Sequence, residues 1–104
     1  MSKEIVVLFS AKLRPDADED SYEALNARLE SLVREVPGFI DVTDYRSEDG
    51  EEIGLVRFAS AEALRAWATH PEHVAAQQRG REEFYESYRI QIASVERESV
   101  FPGG

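Results

Sequence analysis

This sequence predicts an α+β, ferredoxin-like βαββαβ fold around a four-stranded antiparallel sheet, and three patterns carry that prediction. Ile5, Val7, Phe9, Ala11 and Leu13 alternate along one face of a strand. Tyr22, Leu25, Leu29, Leu32, Val33 and Val36 then form an apolar stripe at helical spacing. Finally, the apolar runs on either side of Asp49-Gly50 carry the signature of a β-hairpin.

In order, the first strand covers Ile5 to Leu13, and Pro15 with Asp16, Asp18, Glu19 and Asp20 stops it. Those carboxylates suit a helix N-terminus, where Asp20 and Glu23 are spaced as a capping-box variant. The helix runs to Val36 and ends at Pro37-Gly38, with Glu30 and Arg34 paired on its exposed side. Phe39 to Tyr45 and Ile53 to Ala59 are the next strands, joined by a two-residue turn with positive φ at both Asp49 and Gly50. Ser60 caps a short helix bearing Leu64 and Trp67. Pro71 suits a first helical turn, so a second helical segment starts near Thr69 or His70 and bends at Gly80. Tyr88, Ile90 and Ile92 open the last strand, with a bulge near Ala93, and Ser99 to Gly104 form a short tail.

With right-handed crossovers, both helical layers fall on one face of the sheet. Val6, Leu8, Val56 and Phe58, alongside Ile5, Val7, Ile53 and Leu55, make both faces of the sheet apolar. Each exposed Val, Leu or Phe forgoes roughly 1.5–3 kcal/mol of burial, so the second face calls for a cover. A second copy supplies it, and the expected assembly is a homodimer packed sheet to sheet as a dimeric α+β barrel.

The 104 residues make a single domain, 1–104, with no internal repeat. A net charge of −9 argues against nucleic-acid binding, which needs a basic footprint. Without cysteine there are no disulfides, thiolate metal sites or cysteine nucleophiles. No signal-peptide pattern and no membrane-length apolar run is present, so the expectation is a cytoplasmic protein with no membrane partner.

Chemistry concentrates between Trp67 and Tyr88, which hold the only tryptophan and both histidines. Trp67 is either the largest core residue of its helix or the wall of a cavity. His70 reads first as a cap and second as a ligand contact, whereas His73, one turn before Gln77, is the better candidate base. His70, Glu72 and His73 do not complete a metal site, because Glu72 points away from the two imidazoles; no metal is expected. Tyr85 and Tyr88 either pack the junction of helix and strand or donate to a ligand oxygen. Arg57 is a surface charge, or an inward cation that needs an anionic partner.

The run Phe58-Ala59-Ser60-Ala61-Glu62-Ala63-Leu64, followed by Trp67, His70-Pro71-Glu72-His73 and the Tyr85–Tyr88 approach to the last strand, resembles the antibiotic biosynthesis monooxygenase family of the dimeric α+β barrel superfamily. The resemblance implies a pocket in each subunit between helices and sheet, with Trp67 in its wall. Some members oxidise quinols or anthrones with molecular oxygen and no metal or flavin cofactor, the deprotonated substrate being the electron donor. The implied function is a cofactor-independent monooxygenase acting on a small aromatic molecule. His73 would be the base, Trp67 the ring-stacking wall, and Tyr85 or Arg57 the stabiliser of the anion, with His70, Gln77, Tyr88 and Phe9 as further substrate contacts. A second branch of the family degrades haem through a histidine ten residues after the tryptophan. Gln77 stands there in this chain, and Phe9-Ser10-Ala11 lacks the asparagine expected on the first strand. The alternative is therefore a non-catalytic barrel that binds a small ligand or haem.

Overall fold

The computed structural model describes residues 3–103; Met1, Ser2 and Gly104, the ends of the predicted strand approach and tail, lie outside the described residues. Strands β1 (Ile5–Leu13), β2 (Phe39–Arg46), β3 (Glu52–Phe58) and β4 (Tyr85–Ser94) form one sheet in the order β2-β3-β1-β4, each neighbouring pair antiparallel. Helix α1 (Glu19–Val33) joins β1 to β2, and α2 (Ala61–Ala68) with α3 (Pro71–Arg79) joins β3 to β4. This is the predicted α+β, ferredoxin-like arrangement.

Directly paired residues share a sheet face, so the register sorts the side chains. Ile5 pairs with Phe58 and Val7 with Val56, and these residues pack with Leu32, Val33 and Trp67 as the core beneath the helices. Val6, Leu8, Ile53 and Leu55 point the other way, with Leu8 directly opposite Leu55. Val56 and Phe58 therefore belong to the covered face; Ile53 and Leu55 supply the apolar character of the open one. Period-two alternation inside a run of consecutive apolar residues cannot reveal that phase without the partner strand.

Local chemistry differs from the sequence expectations at several termini. Asp18, not Asp20, caps α1: its Oδ1 accepts from the Asp20 and Ser21 amides at 3.1 and 3.3 Å. Asp18 sits in extended backbone just outside the helix, as an N-cap must. The helix proper ends at Val33, and tighter turns through Glu35 and Val36 carry the chain to Gly38, whose φ of 92° breaks it. In the β2–β3 hairpin only Gly50 has positive φ, at 84°. Ser47 accepts from the Gly50 amide while its own amide donates to Glu51, so a turn plus one left-handed glycine replaces the two-residue turn.

No bulge forms at Ala93, which pairs in register with Val6. The irregularity lies at the other end of the β1–β4 ladder, between Lys12 and Leu13, where Glu86 is the extra residue. Strand β4 also begins at Tyr85, three residues before Tyr88. The reason is the segment before it: instead of a simple bend at Gly80, the chain makes one π turn, Gly80–Phe84, and delivers Tyr85 directly into the sheet. Arg14 stabilises that junction. Its guanidinium donates to the carbonyls of Arg81, Glu82 and Tyr85 at 2.8, 2.7 and 3.2 Å, and its amide donates to Phe84. Carbonyls freed by the wide turn are thus satisfied by one forked cation. From Val95 to Gly103 no strand or helix is present.

Candidate functional site

A cavity of about 630 Å³ lies between the helices and the covered sheet face. Its floor follows the sheet register: Ile90, Phe9, Gly54 and Asp44 form one row across all four strands. Gly54 contributes no side chain, and that gap is filled only at its edge, by the Asp44 carboxylate. Tyr22, Leu25, Leu29 and Val33 of α1 form the roof. Trp67, His73, Ala76 and Gln77 form the wall from α2 and α3.

Trp67 and His73 are locked together. Their rings stack with centroids 4.4 Å apart and an 18° interplanar angle. His73 Nδ1 also lies 3.0 Å from the Trp67 carbonyl, which accepts only, so Nδ1 carries the proton and Nε2 keeps its lone pair. Burial, with a smaller contribution from the charge of His70, holds the His73 pKa below its ordinary value despite the carbonyl bond. The ring is therefore neutral at neutral pH, with Nε2 available as a proton acceptor.

The opposite end of the floor is aromatic. Tyr85 and Tyr88 lie 5.4 and 5.6 Å from the Phe9 ring, and Tyr22 packs edge-on to Tyr85. Burial, then the Tyr22 hydroxyl, pushes the Tyr85 pKa far above its usual value, so Tyr85 is a donor and never a base here. The Tyr88 hydroxyl accepts from Arg81 at 3.1 Å.

Of the residues predicted from sequence, the fold brings Trp67, His73, Gln77, Tyr85, Tyr88 and Phe9 to one cavity. It leaves two outside. Arg57 pairs with Val6 in register on the open sheet face and lies 3.5 Å from Asp41, so it is a surface cation with its own carboxylate. His70 caps α3, its Nδ1 accepting from the Glu72 amide at 3.1 Å. Among the described residues no group of three or more His, Cys, Asp or Glu could hold a metal ion.

Sequence reasoning missed the polar part of α1. Asn26 and Glu30 line the cavity, so Glu30 is not the exposed partner of Arg34. Glu30 meets Asp44, and that facing carboxylate pushes the Glu30 pKa up. The signal was present: Tyr22, Asn26, Leu29, Glu30 and Val33 share one helical face, and a polar residue within such a stripe marks a wall rather than a packed core.

Comparison with known proteins follows this geometry. Residues 4–79 match the antibiotic biosynthesis monooxygenase family. The chain belongs to that family. A relative from Bacillus subtilis (strain 168), YqjZ, described as uncharacterized, is 35% identical over 96 residues, which cover 92% of this chain and 82% of that protein. The fold resembles SnoaB, a cofactor-independent oxygenase from Streptomyces nogalater, with TM-score 0.80, 14% identity and coverage of 98% and 100% of the two chains. It also resembles Rv0793 from Mycobacterium tuberculosis, with TM-score 0.82, 21% identity and coverage of 93% and 99%. The family match takes in Trp67, His73 and Gln77 and stops before the π turn that places Tyr85 and Tyr88. No helix among the described residues is long and apolar enough to cross a membrane.

Proposed function

We propose that this antibiotic biosynthesis monooxygenase family member is a cofactor-independent monooxygenase that oxidises a small aromatic, quinol- or anthrone-like molecule with molecular oxygen. The observation that carries the reading is His73, neutral and fixed on Trp67 in the wall of an apolar cavity. Trp67 and Phe9 offer ring faces to a planar substrate. His73 Nε2 takes a proton from the substrate, leaving a carbanion or enolate that gives electrons to oxygen. For an anthrone-like methylene, one oxygen atom becomes the product carbonyl and the other leaves as water with the two hydrogens of that carbon, which balances the step without another reductant. Tyr85, held protonated, would donate to the developing oxyanion by turning its hydroxyl from Tyr22. Gln77 and Tyr88 complete the contacts. Apolar walls exclude water from the reactive intermediate.

Oxygen uptake with a panel of quinols and anthrones tests this. Uptake by the wild type that falls at least about a hundredfold in His73→Ala is expected, the usual scale for losing a general base. Equal rates for the wild type and a His73→Ala, Trp67→Phe double variant would remove the proposal.

A second reading, a ligand-binding barrel without turnover, draws support from the charges around the cavity. Arg46, the cation of its lining, is already paired with Glu52, so no spare cation stabilises an anion there. Haem is the less suitable ligand for such a barrel, because Gln77 offers a neutral amide where the haem-degrading branch has its histidine. Saturable binding of aromatic probes with no oxygen uptake, and no haemin absorption shift, would favour this reading.

A further inference from the structure

We infer that Glu30 and Asp44 set the specificity of this cavity, admitting an aromatic ligand that is uncharged or cationic with a hydrogen-bond donor at its end, and rejecting aromatic acids. The inference rests on the cavity being the ligand site, as proposed above, and adds the charge class of its occupant.

The geometry has three parts. First, Phe9, Val56 and Ile90 of the floor and Trp67 of the wall offer apolar surface to a ring, beneath the Tyr22, Leu25, Leu29 and Val33 roof. Second, Glu30 on α1 and Asp44 on β2 both line the cavity, Asp44 with its Oδ1 at the gap left by Gly54. A ring seated on Phe9 has Asp44 two strands along the same row, with Glu30 in the same lining. Third, the remaining charged groups of the lining do not compensate them. Glu19, Glu23 and Glu52 add further carboxylates, and Arg46 is bound to Glu52 through its Nε and Nη2.

The consequence follows from Coulomb's law at short range beside low-dielectric walls. A carboxylate, sulfonate or phosphate on the ligand would meet like charge, since Arg34, the cation whose field reaches Glu30, stands outside the lining. An ammonium would meet the pair directly, and a hydroxyl or amine N–H would find carboxyl oxygens that accept. The pairing also fits the proposed chemistry. A substrate must enter with its proton so that His73 can remove it inside, and a wall that rejects ready-made anions enforces that order.

Three probes with one ring system separate the charge classes: 2-naphthylmethylamine, 2-naphthylmethanol and 2-naphthoate. Equilibrium dialysis gives affinity, and the indole N–H resonance of Trp67, the only tryptophan, reports occupancy of the cavity. The expected order is amine, alcohol, acid, with the amine at least about tenfold tighter than the acid at low ionic strength. In Glu30→Gln/Asp44→Asn the amine and the acid should become nearly equal while the alcohol is unchanged. Asp44→Asn alone, at an exposed position, should move the ratio the same way by less. Asp16→Asn/Glu98→Gln removes the same charge from exposed sites outside the lining and should keep the order. Naphthoate binding as tightly as the amine, an order that survives the Glu30/Asp44 changes, or an equal collapse in the Asp16/Glu98 control would overturn the inference alone. If no probe moves the Trp67 resonance, the cavity reading falls with it.

Discussion

Gly80 lies directly beneath the ring of Tyr85: a Cβ added to it would stand 2.8 Å from Cδ2 of that ring, closer than real Cβ atoms approach. The glycine is needed for space, since its φ of −58° is one that any residue adopts. The wide turn that follows brings the chain back against Gly80, and only a hydrogen there lets Tyr85 reach Phe9.

Gly80→Ala is therefore expected to destabilise the protein. Overpacking costs about 1–3 kcal/mol, against at most about 1 kcal/mol recovered from replacing a helical glycine. Urea unfolding would show a lower midpoint, and near-UV circular dichroism would lose tyrosine signal as the ring is displaced. A midpoint equal to or above that of the wild type would mean that the ring yields freely and that Tyr85 is not held in place.

His73 makes a pH prediction whose sign follows from its cause. Burial favours the neutral ring, so the folded-state pKa lies below the ordinary 6.5. Above 6.5 both folded and unfolded chains carry a neutral ring and this group adds no pH dependence. As pH falls below 6.5 the unfolded chain takes the proton first, and stability is lost until the folded pKa is passed. The acid limb of any His73-dependent oxygen uptake should have its midpoint below 6.5 in the free enzyme, and His73→Gln should remove both the limb and that part of the acid destabilisation. A midpoint above 6.5 would show that a negative neighbour outweighs burial and would assign His73 a different role.

The fold was legible because its signals are redundant. Alternation in β1, the stripe of α1 and the caps at Ser60 and His70 each depend on neighbours in sequence. Ser60 Oγ indeed accepts from the Ala63 amide at 3.2 Å. What escaped is what depends on distant partners. The phase of β3, the place of the β1–β4 bulge and the start of β4 are set by register and by Arg14, some seventy residues from the carbonyls it binds. The site divides the same way. His73 and Gln77 sit one turn apart on α3, and their common side is readable from spacing, whereas Trp67 reaches them from α2 across the break at Thr69 and His70. Arg57 was ambiguous because one step of register decides whether it faces the cavity or Asp41. Glu30 was read as half of a surface pair because an i,i+4 partner is visible in sequence and Asp44 is not.

Gly54 gives the most direct test of the cavity. A Cβ there would meet only Asp44 Oδ1, at an ordinary 3.5 Å, so the strand tolerates a side chain. Gly54→Leu should fill the floor between Phe9 and Asp44 with little loss of stability, since an interior strand glycine is itself unfavourable. Aromatic probes should then fail to bind while the thermal midpoint stays near that of the wild type. Undiminished binding would place the ligand elsewhere.

The open sheet face bears on assembly, which we propose to be a sheet-to-sheet homodimer. Leu8 and Leu55 stand opposite each other at its centre, with Val6 and Ile53 beside them, while Tyr45 and Ile40 are 54% and 43% exposed on β2. Ser87, Arg89 and Gln91 of β4 give the same face a polar margin, because they pair with the outward residues of β1. An apolar centre with a polar edge is the composition of a self-complementary interface. Leu8→Glu sets a carboxylate against its own symmetry mate or against Leu55. It should convert a dimer into a monomer in sedimentation velocity at micromolar concentration, and lower the thermal midpoint in a concentration-dependent way. Arg89→Glu, at the margin, should leave the dimer assembled. A wild-type chain that sediments as a monomer at that concentration would leave the leucine pair in water and require another cover for it.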